Sequence, residues 1–361
     1  MGYDLMIYTD HIEPAAVNQI YGLMTQPPFR GAKVRIMPDV HVGNGCVVGF
    51  TATMGDLVIP NVIGVDIGCG MLTVELGKAE VDPAALDDFI RDNIPAGSAL
   101  HKEYGDVDFV KKLGCFKELR DPDRVLRSMG TLGGGNHFIE LDRDEEGNTY
   151  LVIHSGSRNL GTQVAKYYQK KAVELCKSDH QRSKIPAEHC YLQGMEAADY
   201  LHDMGICQEF AVRNRQAMAD RILKHLGIRK AERFETMHNF IDEENIIRKG
   251  AIPAHRGQKV LIPMNMRDGC IIAEGKGNPD WNCSAPHGAG RLLSRAEAKE
   301  LLTVEEYRAA MAGIYTTSAN RSTIDESPMA YKPMEQILEY IEPTVKILKV
   351  IKPIYNFKAG N

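Results

Sequence analysis

Short runs of aliphatic and β-branched residues at 47–54, 71–76, 150–154, 259–263 and 269–274 are bounded by Gly, Pro or Asn, the punctuation that closes β-strands. Between residues 163 and 226 the period lengthens. Met195, Ala198, Leu201, Met204, Met218 and Ile222 recur near the 3.6-residue spacing of a helix with one buried face, and long helices are expected there. A second helical pair is expected over 295–314, where Thr303 stands as an N-cap and Glu306 closes a capping box. No Gly/Ser linker, low-complexity tract or internal repeat divides these elements. The pattern predicts one α+β domain over residues 1–361.

Composition changes this picture little. With 43% hydrophobic and 25% charged residues, a chain of 361 residues has enough apolar side chain for a large core. Residues 1–6 lack the basic stretch and apolar segment of a secretory signal, and no apolar run approaches the roughly 18 residues of a membrane span. The expectation is a soluble, cytoplasmic protein with no membrane partner. Eight cysteines form no CxxC pair and no compact framework, so most are expected to be reduced core thiols. A net charge of −5 argues against bulk coating of nucleic acid, yet residues 246–299 hold nine Lys/Arg against four acids. A local basic patch is therefore expected.

Within that patch, His287 is set among Gly288, Ala289 and Gly290, with Arg291 and Arg295 four and eight residues further on. Small neighbours let a ligand approach the imidazole, and a helix starting near Gly290 would place both guanidiniums on one face, as phosphate binding requires. The competing reading is a loop histidine beside a solvated basic helix.

Other polar motifs interrupt apolar surroundings: Asp39 and His41 in Met-Pro-Asp-Val-His, Asp66 and Cys69 in Asp-Ile-Gly-Cys-Gly, Asn136 and His137, His154, and His238 with Asn239. The thiol and carboxyl of the Asp-Ile-Gly-Cys turn are spaced to face one ion. Singly, each histidine reads as a hydrogen-bonded structural residue and Cys69 as a small buried hydrophobe. Jointly, Cys69, His137, His154 and His238 lie at the edges of turns containing Gly or Asn, where side chains can converge. Thiolate with imidazoles suggests zinc, while the added Asp66 suits a mixed, binuclear site permissive of manganese. No Rossmann, P-loop or nucleophile-elbow pattern is present.

This set of motifs resembles the RtcB family of RNA ligases, which join RNA 2′,3′-cyclic-phosphate or 3′-phosphate ends to 5′-hydroxyl ends with GTP. The resemblance is carried by MPDVHVGNG from Met37, VDIGCGM from Val65, GGGNHFIEL from Gly133, VIHSGSRNLG from Val152, MHNF from Met237, RKGA from Arg248, HGAGRLLSR from His287, DESPMAYK from Asp325 and FKAG from Phe357. It implies sheets and helices around a central metal and nucleotide cleft. It also implies two Mn²⁺ ions bridged by Cys69, with His154 and His238 on one and Asp66 and His137 on the other. His287 matches the histidine that carries GMP, and Asp39 the carboxylate that orients it. Asn136, Glu140, Arg158, Asn239, Asn265, Cys270, Arg291, Arg295 and Lys358 match positions contacting GTP or phosphate, with Glu140 and Lys358 at the guanine.

The implied partners are RNA ends and an archease-type activator, and the implied roles are RNA repair or tRNA splicing. The chain departs from the commoner P-G-S-M-G-T-A-S-Y pattern at residues 263–271, where Asn265 and Cys270 replace two serines near the nucleotide. Its length and its Asp-Ile-Gly-Cys turn resemble a compact bacterial branch. Two other readings of the residues are a metal-dependent phosphoesterase acting on RNA ends without GTP, and a non-catalytic protein that binds RNA ends or ribosomes.

Overall fold

The computed structural model describes residues 3–360. Among these, the largest sheet has seven antiparallel strands in the order Lys259–Asn265, Gly269–Gly275, Val345–Lys358, Phe138–Arg143, Thr149–Ser155, Gly70–Gly77 and Glu232–Met237. Its central strands are near-continuous apolar runs because both faces are covered. All seven residues of Thr149–Ser155 are buried. The 14-residue strand Val345–Lys358 pairs first with Gly269–Gly275 and then with Phe138–Arg143, turning between them at a bulge that accommodates Pro353. That change of partner sets Lys358 opposite Phe138.

A second, mixed sheet orders Asp4–Ile7, Lys33–His41, Val48–Thr53, Ile246–Lys249 and Asn239–Ile241. The register of Lys33–His41 against Val48–Thr53 breaks between Ile36 and His41. Residues 37–40 thereby leave the ladder and turn Asp39 toward the strand Ser284–Pro286, which ends one residue before His287.

The expected long helices are Arg158–Ser178 and Gly194–His225. They bury Tyr168, Tyr200 and Phe210 in a core shared with the mixed sheet. The expected pair at 295–314 forms as Arg295–Leu301 and Val304–Ala310, and Thr303 with Glu306 makes the reciprocal capping box. A helix does not start near Gly290. Gly290 has φ of +73°, and an added Cβ would meet the main-chain oxygen of Asp39 at 2.5 Å. Arg291 then bridges to Tyr331 as extended chain, and the helix begins only after Ser294.

Candidate metal and nucleotide site

A cavity of about 920 Å³ opens between the two sheets, lined by Asp66, Cys69, His154 and His238 at its floor and by His287 to Arg291 along one wall. Residues at one end of four strands supply the floor. Asp66 and Cys69 precede the strand Gly70–Gly77, His137 precedes Phe138–Arg143, His154 lies in Thr149–Ser155, and His238 follows Glu232–Met237. Because these four strands are adjacent, residues scattered over 172 positions meet at one sheet end.

Cys69 Sγ lies 3.2 Å from His154 Nε2 and 3.5 Å from His137 Nε2, and His137 Nε2 lies 3.0 Å from Asp66 Oδ2. The His238 ring stands 5.2 Å from that of His154 and 4.9 Å from that of His287. The imidazoles are oriented from behind: His137 Nδ1 meets the Leu132 carbonyl at 2.9 Å, and His154 Nδ1 meets that of Asn136 at 3.1 Å. Both Nε2 atoms are left for the cluster. Gly156 allows this close assembly, since a Cβ there would sit 2.1 Å from Asp66 Oδ1.

The electrostatics suit a cation. Burial, then the neighbouring Asp66, pushes the Cys69 thiol well above its ordinary value. Burial, followed by nearby imidazoles, holds His154 and His238 well below theirs, so both are neutral ligands. Burial raises Asp66, but the hydrogen bond and charge of His137 outweigh it and lower its carboxyl. His238 Nδ1 and Asp66 Oδ1 are buried without a hydrogen-bond partner. An unpaired buried acceptor is costly, and a metal ion relieves it. The donor set fits such an ion.

Above the floor, His287 Nδ1 lies 2.6 Å from Asp39 Oδ2, and the same oxygen accepts the His287 backbone N–H at 3.1 Å. Asp39 is fully buried. The arrangement fixes Nδ1 as the protonated nitrogen and leaves Nε2 with its lone pair. Lys332 Nζ donates to the Pro38 carbonyl at 3.1 Å and so braces the segment that carries Asp39.

At another wall, buried Glu326 gathers cations. Lys358 Nζ is 2.8 Å from Glu326 Oε2, Arg295 Nη1 is 2.5 Å from Glu326 Oε1 and 2.6 Å from Asp325 Oδ2, and Arg291 reaches the Asp325 carbonyl. Arg291 and Arg295 thus converge through a shared acid, not through a helical face. The basic patch expected over 246–299 is largely neutralised from outside that segment: Arg248 pairs with Asp242, Lys259 with Glu75, Lys276 with Glu342, and Lys299 with Asp325. Counting along the chain saw only one partner of each pair.

The remaining positions divide. Asn136, Glu140, Asn239, Asn265 and Lys358 line the cavity. Asn239 Nδ2 donates to the Asp66 main-chain oxygen at 3.2 Å, and Asn265 is engaged with Asp268 and the Arg267 amide in its own turn. Cys270 and Arg158 are not among the lining residues. Cys270 lies beneath Glu140, its Sγ 3.8 Å from Oε1. Arg158, at φ +58°, donates to Thr131 Oγ1 and the Gly97 carbonyl behind the metal turn.

Two supporting residues gave no sequence signal. Fully buried Arg215 donates to the Gly68 and Ser155 carbonyls at 3.0 and 2.7 Å, tying together the turns that carry Cys69 and His154. Its neighbour in the chain, Asn214, accepts from Gly130 and Thr131 and donates to the Gly156 carbonyl.

A floor of thiol, carboxyl and imidazole side chains under a carboxylate-tethered histidine is that of a metal-binding protein of α+β architecture. The chain belongs to the RtcB family: the family model described as tRNA-splicing ligase RtcB matches residues 21–114 and 100–359. It is 29% identical to the RNA-splicing ligase RtcB of Escherichia coli K12 over 92% of this chain and 91% of that one. Similarity extends to the archaea. The tRNA-splicing ligase RtcB of Aeropyrum pernix is 29% identical over 84% of this chain and 83% of its own. No helix among the described residues is long and apolar enough to cross a membrane.

Proposed function

We propose that this protein is a GTP- and Mn²⁺-dependent RNA ligase that joins 2′,3′-cyclic-phosphate or 3′-phosphate ends to 5′-hydroxyl ends through GMP carried on His287. The observation that carries this reading is the His287 Nδ1 to Asp39 Oδ2 contact of 2.6 Å, made at the edge of the thiol–imidazole cluster.

In this reading His287 Nε2 attacks the α-phosphorus of GTP. An N–P bond forms as the bond to pyrophosphate breaks, while Asp39 holds the proton on Nδ1 and stabilises the charge that develops on the ring. Two Mn²⁺ ions held by Cys69, with His154 and His238 on one side and Asp66 and His137 on the other, would withdraw charge from the phosphate oxygens. Arg291, Arg295 and Lys358 turn toward phosphate or base from the acid they share, and Glu140 accepts from the guanine. Asn136 and Asn239 donate to phosphate from the cavity wall. Water opens a 2′,3′-cyclic phosphate to the 3′-phosphate; GMP then passes to that phosphate as the N–P bond to His287 breaks, and the 5′-hydroxyl displaces GMP to seal the strand.

Support for RNA as substrate comes from the family, as does support for an archease-type activator. Roles in RNA repair or tRNA splicing rest on the same ground. The test is incubation with Mn²⁺ and an RNA pair bearing a 2′,3′-cyclic phosphate and a 5′-hydroxyl. Sealed product that appears only with GTP is expected. Opening of the cyclic phosphate with no GTP requirement and no joining would favour a phosphoesterase instead.

A further inference from the structure

Behind Glu140, the proposed guanine acceptor, lie two further titratable side chains, Asp142 and Cys270, that the proposed reaction does not use. Glu140 and Asp142 are two residues apart on the strand Phe138–Arg143, so both point to one face, and Cys270 faces them from the strand Gly269–Gly275. All three are buried, and one ligand atom from each lies within 4.8 Å of the others. Two carboxylates at that separation, out of water, cannot both be ionised.

The surroundings decide which one holds the proton. Glu140 lines the cavity, receives the side-chain amide of Asn356 on Oε2, and feels the charge of Lys358. Asp142 is fully buried and away from the cavity. Neither of its oxygens meets an amide, hydroxyl or ammonium donor among the described residues. Nearby Tyr150, on the adjoining strand, turns its hydroxyl to Asp144 and Lys349, and Lys358 itself is engaged by Glu326. The negative charge therefore belongs on Glu140 and the proton on Asp142.

We propose that Asp142 is a positioning residue for base selection: as a carboxylic acid it keeps its proton and donates a hydrogen bond to Glu140, holding that side chain as an ionised acceptor aimed at the cavity. This rests on the reading of Glu140 as the acceptor for guanine, whose N1–H and exocyclic amine require an anionic partner that adenine lacks donors to match. Burial pushes Glu140 up to about 7, and the hydrogen bonds from Asn356 and Asp142 pull against that rise. Burial, then the Glu140 charge, raises Asp142 well above the carboxylate range. Removing the donor at 142 should therefore raise Glu140 further.

The experiment compares the affinities of the full-length protein for GMP and AMP across pH 5.5–9, since neither nucleotide carries the pyrophosphate leaving group that would allow covalent transfer. The wild type should prefer GMP, with the preference fading as pH falls through about 7, where Glu140 takes up a proton. Asp142→Asn keeps a donor and should retain both the preference and its midpoint. Asp142→Leu, with no donor, should lose about tenfold in GMP affinity at pH 7 with AMP unchanged, and its midpoint should move up by about one unit.

A purely structural role would weaken both nucleotides alike and leave the midpoint in place, which would overturn the proposal. So would an Asp142→Asn variant that loses the preference, and this outcome decides the matter even if Asp142→Leu does not fold. A wild type with no preference for GMP would bring down the reading of Glu140 and the proposal with it.

Discussion

Arg215 Nη1 lies 2.7 Å from the main-chain oxygen of Ser155, and through its second contact at Gly68 the same nitrogen ties the two turns that present Cys69 and His154. The guanidinium is wholly buried and its charge is met by Glu235 at 2.8 Å. Arg215→Met removes the donor and leaves two carbonyls and a largely buried carboxylate without it. The expected loss is about 3 kcal/mol of unfolding free energy, with weakened metal binding. Denaturant titration measures the first and equilibrium dialysis of Mn²⁺ the second. An unchanged midpoint would contradict the bracing role.

Asp39→Asn should leave the fold intact and slow transfer to His287. An amide can present its N–H to Nδ1, which stabilises the tautomer with the lone pair on the wrong nitrogen, and it cannot compensate positive charge on the ring. Guanylylation should fall by roughly a hundredfold or more, read as the rate of GMP incorporation.

Some of these residues are legible in the sequence and others are not. The floor was legible because Asp66, Cys69, His137, His154 and His238 each stand within two residues of Gly or Asn at a strand end, and the strands of one sheet share an end. Thr303 and Glu306 were legible because a capping box is local. Arg291 and Arg295 were placed on one helical face, whereas the positive φ of Gly290 delays the helix and Glu326, from a distant segment, brings them together. Asp142 and Arg215 carried no signal, since a charged residue in an apolar strand or in a helix reads as solvated until its neighbours are known.

Metal binding should release protons. Burial keeps Cys69 a thiol in the metal-free protein, and a bridging ligand must be a thiolate. Calorimetric titration of Mn²⁺ in two buffers of different ionisation enthalpy should show proton release that Cys69→Ser reduces. Saturating metal at 100 times its Kd should stabilise the fold by about 2.7 kcal/mol, a gain that a chelator removes.

The metal-free protein should lose stability on mild acidification. Burial lowers His41 to about 4, below the ordinary histidine range, with the Asp39 carbonyl opposing it. Between that value and about 6.5 the unfolded chain binds the proton and the native one does not, so stability rises with pH across this window and falls as pH drops through it, by up to about 1.4 kcal/mol per pH unit for each such group. Buried His154 and His238 act in the same sense. Denaturation midpoints from pH 7 to 4 should decline, and His41→Gln should flatten the decline.

His287 is the residue proposed to carry GMP. Incubating the protein with α-labelled GTP and Mn²⁺, then mapping the label by peptide mass spectrometry, tests this directly. The wild type should hold one GMP, acid-labile and alkali-stable as a phosphoramidate, on the peptide containing His287, and His287→Ala should hold none. Label that persists in His287→Ala, or that maps to another residue in the wild type, would contradict the assignment.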